Sequence, residues 1–375
     1  PSSATPTTEE LAARVNALEE ELQAAEIRAT ADHDKVEGWK PLKGWWDDTK
    51  LSGRMYYDIT NVSQKTNGAE GTNNGTSFDI KRFYVGVDHK FDDIFSANLT
   101  MDMNYVSADS ETQFYVKKAY LQAKLDDAFI VRVGSADLPW VPMAEDAYGY
   151  RYVENTIIDR AKFGTSADWG VHMLGKFGDG MFSYQVSVVA GGGYKKAART
   201  ENPDVEGRLS FDYEGLTLAV GGYVGKLGVQ HGTTDYHTAE RFDALAAYKF
   251  EGLRVGVEYF NASNYTQVTS ATSSHAEGVS PFVSYQFAPE WSVFGRYDYV
   301  KPYNDAARKD FKNDYYNVGI SYSPAKIVDF SLVYKYDDGK NGYLKDSNGT
   351  IGGSAFAAGN NGHYSEIGLF GQVRW

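Results

Sequence analysis

Between Arg132 and Lys162 the chain sets four basic residues, Arg132, Arg151, Arg160 and Lys162, around the apolar and aromatic runs Leu138-Pro-Trp-Val-Pro142 and Tyr150-Arg-Tyr152. Guanidinium and ammonium groups gathered in this way attract and guide anions, Arg through a planar fork of donors and Lys as a point charge. Covalent chemistry has far less support. Ser, His and Asp are present, but no Gly-x-Ser-x-Gly elbow, His-Glu-x-x-His pair or phosphate-cradling glycine loop occurs. There is no Cys, hence no thiolate and no disulfide. His231 and His237 with Asp235 could gather a metal at a loop tip, although a solvated loop is the simpler reading, and the Asp-rich loops lack the ordered spacing of a calcium site. The expectation is no catalytic residue, no metal and no cofactor.

The elements that carry these residues follow a period of two. In Ile367-Gly-Leu-Phe-Gly-Gln-Val-Arg-Trp375 one face receives Ile367, Leu369, Gly371, Val373 and Trp375, and the other Glu366, Gly368, Phe370, Gln372 and Arg374. Sixteen such stretches follow Leu51, roughly 52-60, 78-89, 94-106, 113-125, 128-136, 167-177, 181-190, 204-213, 216-226, 240-250, 253-261, 278-287, 291-300, 313-323, 328-337 and 363-375. Their connections alternate between tight turns such as Glu214-Gly215 and Glu251-Gly252 and long polar segments such as 262-277 and 338-362. Beside the tight turns stand Phe95, Phe129, Phe177, Phe182, Tyr213, Phe250, Phe287, Trp291, Tyr322 and Trp375, all on the apolar phase. An even set of strands, short turns at one end and one aromatic ring predict a sixteen-stranded antiparallel transmembrane β-barrel over 51-375.

The polar phase predicts a wet interior. It carries Arg82, Lys118, Arg132 and Arg296 among thirteen basic residues, against nine acids, in a chain whose net charge is -13. Pairs such as Arg241/Asp243 and Arg296/Asp298 fit either a charged pore wall or strands knitted together by ion pairs. The segment 137-166 is too apolar for an ordinary surface loop and is expected to fold inward as a constriction, setting Arg151, Arg160 and Lys162 opposite Lys118 and Arg132; the alternative is an outer lid or a subunit contact.

The first residues obey another period. Leu11, Val15, Leu18 and Leu22 are spaced four, three and four apart, predicting a helix over 1-30 that gains most burial in an oligomeric coiled coil, with a linker over 31-50; a helix folded on its own chain would show the same stripe. The negative charge disfavours nucleic acid as a partner.

The N-terminal heptads ahead of sixteen strands, the third outer segment Arg132-Val-Gly-Ser-Ala-Asp-Leu-Pro-Trp140 with Arg151-Tyr152 and Asp159-Arg160, and the terminal Val-Arg-Trp375 resemble the phosphate-selective porin O and P family over nearly the whole chain. The resemblance implies an outer-membrane homotrimer in contact with lipid or lipopolysaccharide, with the coil in the periplasm of a Gram-negative cell and each pore narrowed by its third loop. It also implies selectivity from an arginine ladder and a lysine cluster. Arg82, Lys118, Arg132, Arg151 and Arg160 match part of such a path, whereas a dense lysine cluster is absent. Passive diffusion of small hydrophilic solutes with modest anion preference is the expected function. A channel for phosphate or dicarboxylates, a non-conducting scaffold and a barrel enzyme are the alternatives.

Overall fold

The computed structural model describes residues 46–71, 74–106, 111–197, 199–230, 232–265, 267–301, 311–341 and 361–375, together with Arg14 and Gly44. The chain divides into two units, Pro1–Lys50 and Leu51–Trp375. In the first, Arg14 is helical and exposed, while Leu11, Val15, Leu18 and Leu22 lie outside the described residues.

The second unit is built from sixteen long strands, β1 (Thr49–Thr66), β2 (Gly75–Lys90), β3 (Phe95–Val106), β4 (Glu111–Asp126), β5 (Phe129–Asp137), β6 (Ala167–Phe177), β7 (Phe182–Val189), β8 (Asp204–Tyr213), β9 (Leu216–Gly225), β10 (Ala239–Phe250), β11 (Leu253–Ser263), β12 (His275–Ala288), β13 (Trp291–Lys301), β14 (Lys312–Ala325), β15 (Val328–Lys340) and β16 (Gly362–Arg374). A two-residue ladder, Ala69–Glu70, adds to the tip of the first hairpin. Consecutive strands pair antiparallel, and β16 returns to β1 with Arg54 opposite Arg374 and Thr66 opposite Gly362. Closure leaves no strand with an unpaired edge, the condition for a sheet to cross lipid. Among the described residues no helix is long and apolar enough to span a membrane.

The period of two separates lipid from lumen. On β16, Glu366 and Phe370 are buried inside while Ile367 is 54% exposed. Leu99, Leu121, Val220, Val257, Val318 and Leu332 continue the outer apolar surface. Near the short turns the outer aromatics pack on one another, Phe177 on Phe182 at 5.3 Å and Trp291 on Tyr322 at 4.6 Å between ring centroids. Those turns are tight because both central residues take positive φ, 43° and 85° at Glu214-Gly215, the geometry that matches the twist of a two-residue hairpin. A Cβ on Gly215 would also lie 2.1 Å from the Lys249 carbonyl oxygen.

Two departures from simple alternation matter. β1 runs on to Thr66 because its polar residues Asn61 to Thr66 continue the ladder with Ile367 to Gly362, beyond the apolar band that hydropathy can detect. Between β3 and β4 the register shifts, Thr100 facing Lys118 and Met101 facing Val116, so Lys117 is the extra residue of a bulge. Lys117 and Lys118 therefore turn toward the same interior space.

The chain has no native cysteine, so single introduced thiols report this phase directly. A charged, membrane-impermeant thiol reagent applied to the reconstituted barrel is expected to label Asn98→Cys and to leave Leu99→Cys unmodified; the reverse pattern would overturn the assignment of faces.

Candidate functional site

Residues 138–166 form a strap that lies against the inner faces of β7 to β15. Its first part is the helix α1 (Val141–Tyr148), with Pro142 in the opening turn, where a missing N–H costs nothing. Gly149 ends it at φ 83°, its N–H donating to the Glu145 carbonyl oxygen at 2.8 Å. Arg254 passes so close that a Cβ on Gly149 would overlap its guanidinium. A single turn, α2 (Ile157–Arg160), follows. Trp140, Val141, Ile157, Ile158 and Phe163 pack with Ala219, Leu245, Ala247, Phe260 and Phe282 of the wall. The apolar residues of the strap thus find a surface that an outward loop would lack.

Polar anchors fix the strap along its length. The Trp140 backbone N–H donates to Glu206 at 3.1 Å and its indole N–H to Glu258 at 2.8 Å. Arg208 donates to the Pro139 carbonyl oxygen at 3.0 Å, Arg254 to that of Tyr148 at 3.0 Å and Arg241 to that of Phe163 at 2.6 Å. At the far end two buried ammonium groups converge on the Val153 carbonyl oxygen, Lys81 at 2.8 Å and Lys335 at 2.9 Å. Lys335 also pairs with Glu154 at 3.3 Å and Glu366 at 3.2 Å. Burial would raise the Glu154 carboxyl, but Lys335 and Lys81 outweigh it and hold the group at about 2.

A space of about 490 Å³ lies between Tyr150 and Tyr152 of the strap and β10 to β16, and the strap leaves a further open side along β1 to β5, where it touches Tyr56 and Lys81. A cavity of about 560 Å³ remains there, lined by Arg54, Tyr56, Tyr84, Lys117 and Lys118 from the strands and by Glu145, Asp146 and Arg151 from the strap. Lys118 pairs with Asp137 at 3.0 Å, Arg82 lies 3.7 Å from Asp102, and Arg151 holds Glu145 at 2.5 Å. Burial alone would lower the Arg151 guanidinium; Glu145 reverses this and keeps it charged. Arg54, Lys117 and Arg132 have no carboxylate within ion-pair distance among the described residues, and donate instead to the Tyr56 hydroxyl at 3.2 Å, the Tyr84 hydroxyl at 3.4 Å and Gln122 at 2.8 Å. Strap acids thus face a basic wall across the opening.

Four of the expected site residues, Arg82, Lys118, Arg132 and Arg151, lie on or beside this open side. Lys162 is exposed on the strap, its ammonium 3.1 Å from the Asp159 carbonyl oxygen. Arg160 and Arg296 lie elsewhere: both are buried on the carboxylate of Asp298, at 2.8 Å and 2.6 Å, Arg160 tying the strap to β13 and Arg296 pairing within that strand. Arg54 was legible in the sequence only as one inward residue among thirteen, and Lys117 was missed because a bulge shifts its phase. Lys81 was missed because it and Arg82, although adjacent, both turn inward.

A match to the Gram-negative porins spans residues 25–342. The chain belongs to this family. No curated protein matches it. Among solved structures, this porin is similar to an anion-selective porin from Comamonas acidovorans (TM-score 0.64, 12% identity, 87% of this chain and 99% of that one). It is also similar to OmpT of Vibrio cholerae (0.60, 16%, 87% and 97%) and to the outer membrane channel DcaP of Acinetobacter baumannii (0.56, 13%, 85% and 96%). At these identities the likeness is one of fold. The matching family is broader than the phosphate-selective porins O and P, and it makes the protein an outer-membrane barrel of the diffusion-porin fold, not an enzyme. Among the described residues no cluster of His, Cys, Asp or Glu could hold a metal ion.

Two outcomes follow for the strap. Asp298→Ala removes the carboxylate that buried Arg296 and Arg160 share, leaving Arg160 with Asp337 and Asn313; breaking such a buried pair costs about 3–5 kcal/mol and should lower the temperature at which the folded barrel loses its compact electrophoretic mobility. Glu154, depressed from 4.5 to about 2, contributes stability that is complete above pH 4.5 and is lost as pH falls toward 2. The unfolding temperature should decline across that window, and Glu154→Gln should lower it at neutral pH while flattening the decline.

Proposed function

We propose that this porin conducts small hydrophilic solutes passively across the outer membrane, with a modest preference for anions set on the open side of the strap. The observation that carries the reading is the set of cations without a carboxylate partner among the described residues, Arg54 and Lys117 on the cavity and Arg132 on the adjoining β5, beside the paired Arg82, Lys118 and Arg151. A cation with no counter-charge attracts a passing anion, whereas a paired one presents a dipole. The shared fold with an anion-selective porin of Comamonas acidovorans points the same way. Residues 137-166 act as the constriction in this reading.

The working form is a trimer, the form known for in-vitro folded OmpT of Vibrio cholerae. Residues 1-30, with Leu11, Val15, Leu18 and Leu22 on one stripe, join the three chains in a periplasmic coil through the linker 31-50, and the barrel walls meet lipid or lipopolysaccharide.

Reversal potentials in a potassium chloride gradient across a planar bilayer test the pore. Chloride should be favoured over potassium. Since one charge about 4 Å from an ion in water is worth about 1 kcal/mol, Arg54→Gln, Lys117→Gln and Arg132→Gln together should lower the chloride-to-potassium ratio by roughly fivefold or more. An unchanged ratio in an assembled channel would remove these residues from selectivity. Native mass measurement in mild detergent should give three chains, and deletion of residues 1-30 should lower the dissociation temperature of the trimer without unfolding the barrels.

A further inference from the structure

Lys117 and Arg132, with Lys195 beyond them, share a second property that charge alone does not require. The Lys117 ammonium sits 4.7 Å above the Tyr84 ring and 5.7 Å from that of Tyr194. The Arg132 guanidinium lies 4.9 Å above Tyr120, and Lys195, on the outer connection after β7, lies 4.4 Å above Tyr115. Tyr115 and Tyr194 stack with centroids 5.9 Å apart and planes at 18°, bordering a recess of about 330 Å³. On β4 the order from the outer end is Tyr115, Lys117, Tyr120, so cation and ring alternate along the direction of transport.

We propose that this track selects planar aromatic monocarboxylates, of the benzoate type, over aliphatic anions of the same charge and size. The inference rests on the anion reading above and names the class of anion. A carboxylate meets Lys117, Arg132 or Lys195, none of which has a carboxylate partner among the described residues. The attached ring then lies against a tyrosine edge or face, or over the guanidinium plane. Chloride uses only the charge, and a saturated ring carries no quadrupole to complement the tyrosines. The alternation lets the solute pass from one cation–ring pair to the next without losing both contacts at once, as conduction through several weak sites requires.

The test compares benzoate with cyclohexanecarboxylate as blockers of the chloride current through the full-length protein in a planar bilayer. The two acids are alike in charge and ring size and differ in aromaticity. Half-block is expected at a concentration about twofold to tenfold lower for benzoate, the range an aromatic pair supplies. Tyr120→Leu should bring the two concentrations together. Tyr194→Leu, on an outer connection outside the membrane wall, should narrow the gap even where a strand substitution impairs folding. Equal half-blocking concentrations in a channel that prefers chloride to potassium would overturn the aromatic selection and leave the anion reading intact. A channel that prefers potassium would overturn both. A gap that persists unchanged in both tyrosine variants would overturn the assignment of selection to this track.

Discussion

Two ammonium groups on one carbonyl oxygen, Lys81 and Lys335 on Val153, hold the end of a polypeptide strap inside a barrel. Much of what distinguishes the two halves of the lumen depends on that anchor. A segment with two short helices exposes backbone carbonyls that neither water nor a regular ladder can satisfy once it is pressed against a wall. The wall answers with long cationic side chains, Arg208, Arg241, Arg254, Lys81 and Lys335, each reaching a strap carbonyl. The charges of Arg241 and Lys335 are in turn balanced by Asp243, Glu154 and Glu366. The charge pairs that looked in the sequence like a permeation ladder thus serve in good part as mechanical attachment.

That division of labour explains why a chain of net charge -13 can still present a basic opening. On the strap side Arg160, Arg241, Arg296 and Lys335 are buried and spent on carbonyls and carboxylates. Along β1 to β5 the strap meets the wall at Tyr56 and Lys81, while three cations there rest on tyrosine hydroxyls and a glutamine amide instead. In the reading proposed above, selectivity is a local property of these strands, and total charge carries little information about it.

The barrel was legible in the sequence because lipid and water on opposite faces impose a strict period of two, and the turns and outer aromatics repeat the message independently. The site was legible in part. Inward phase placed Arg82, Lys118 and Arg132 correctly relative to the wall, and the apolar content of residues 138–166 pointed to an inward fold. Phase alone could not separate Arg296, buried beneath the strap, from Arg132, facing open space, because that distinction is made by packing with residues far away in sequence. Lys117 escaped for a different reason: a one-residue bulge changes the parity of a strand, and parity was the only ruler available.

The ladder between β1 and β16 joins residues about 320 positions apart, as Arg54 opposite Arg374 shows. Loop-closure entropy grows with separation, and non-local pairing slows folding. Until that ladder forms, two strands expose full rows of unpaired amide and carbonyl groups beside an apolar face. Such an intermediate is poised to join other chains as readily as itself. Prompt pairing of the two open edges is therefore what keeps the chain to itself, as a clasp is safe only once it has caught.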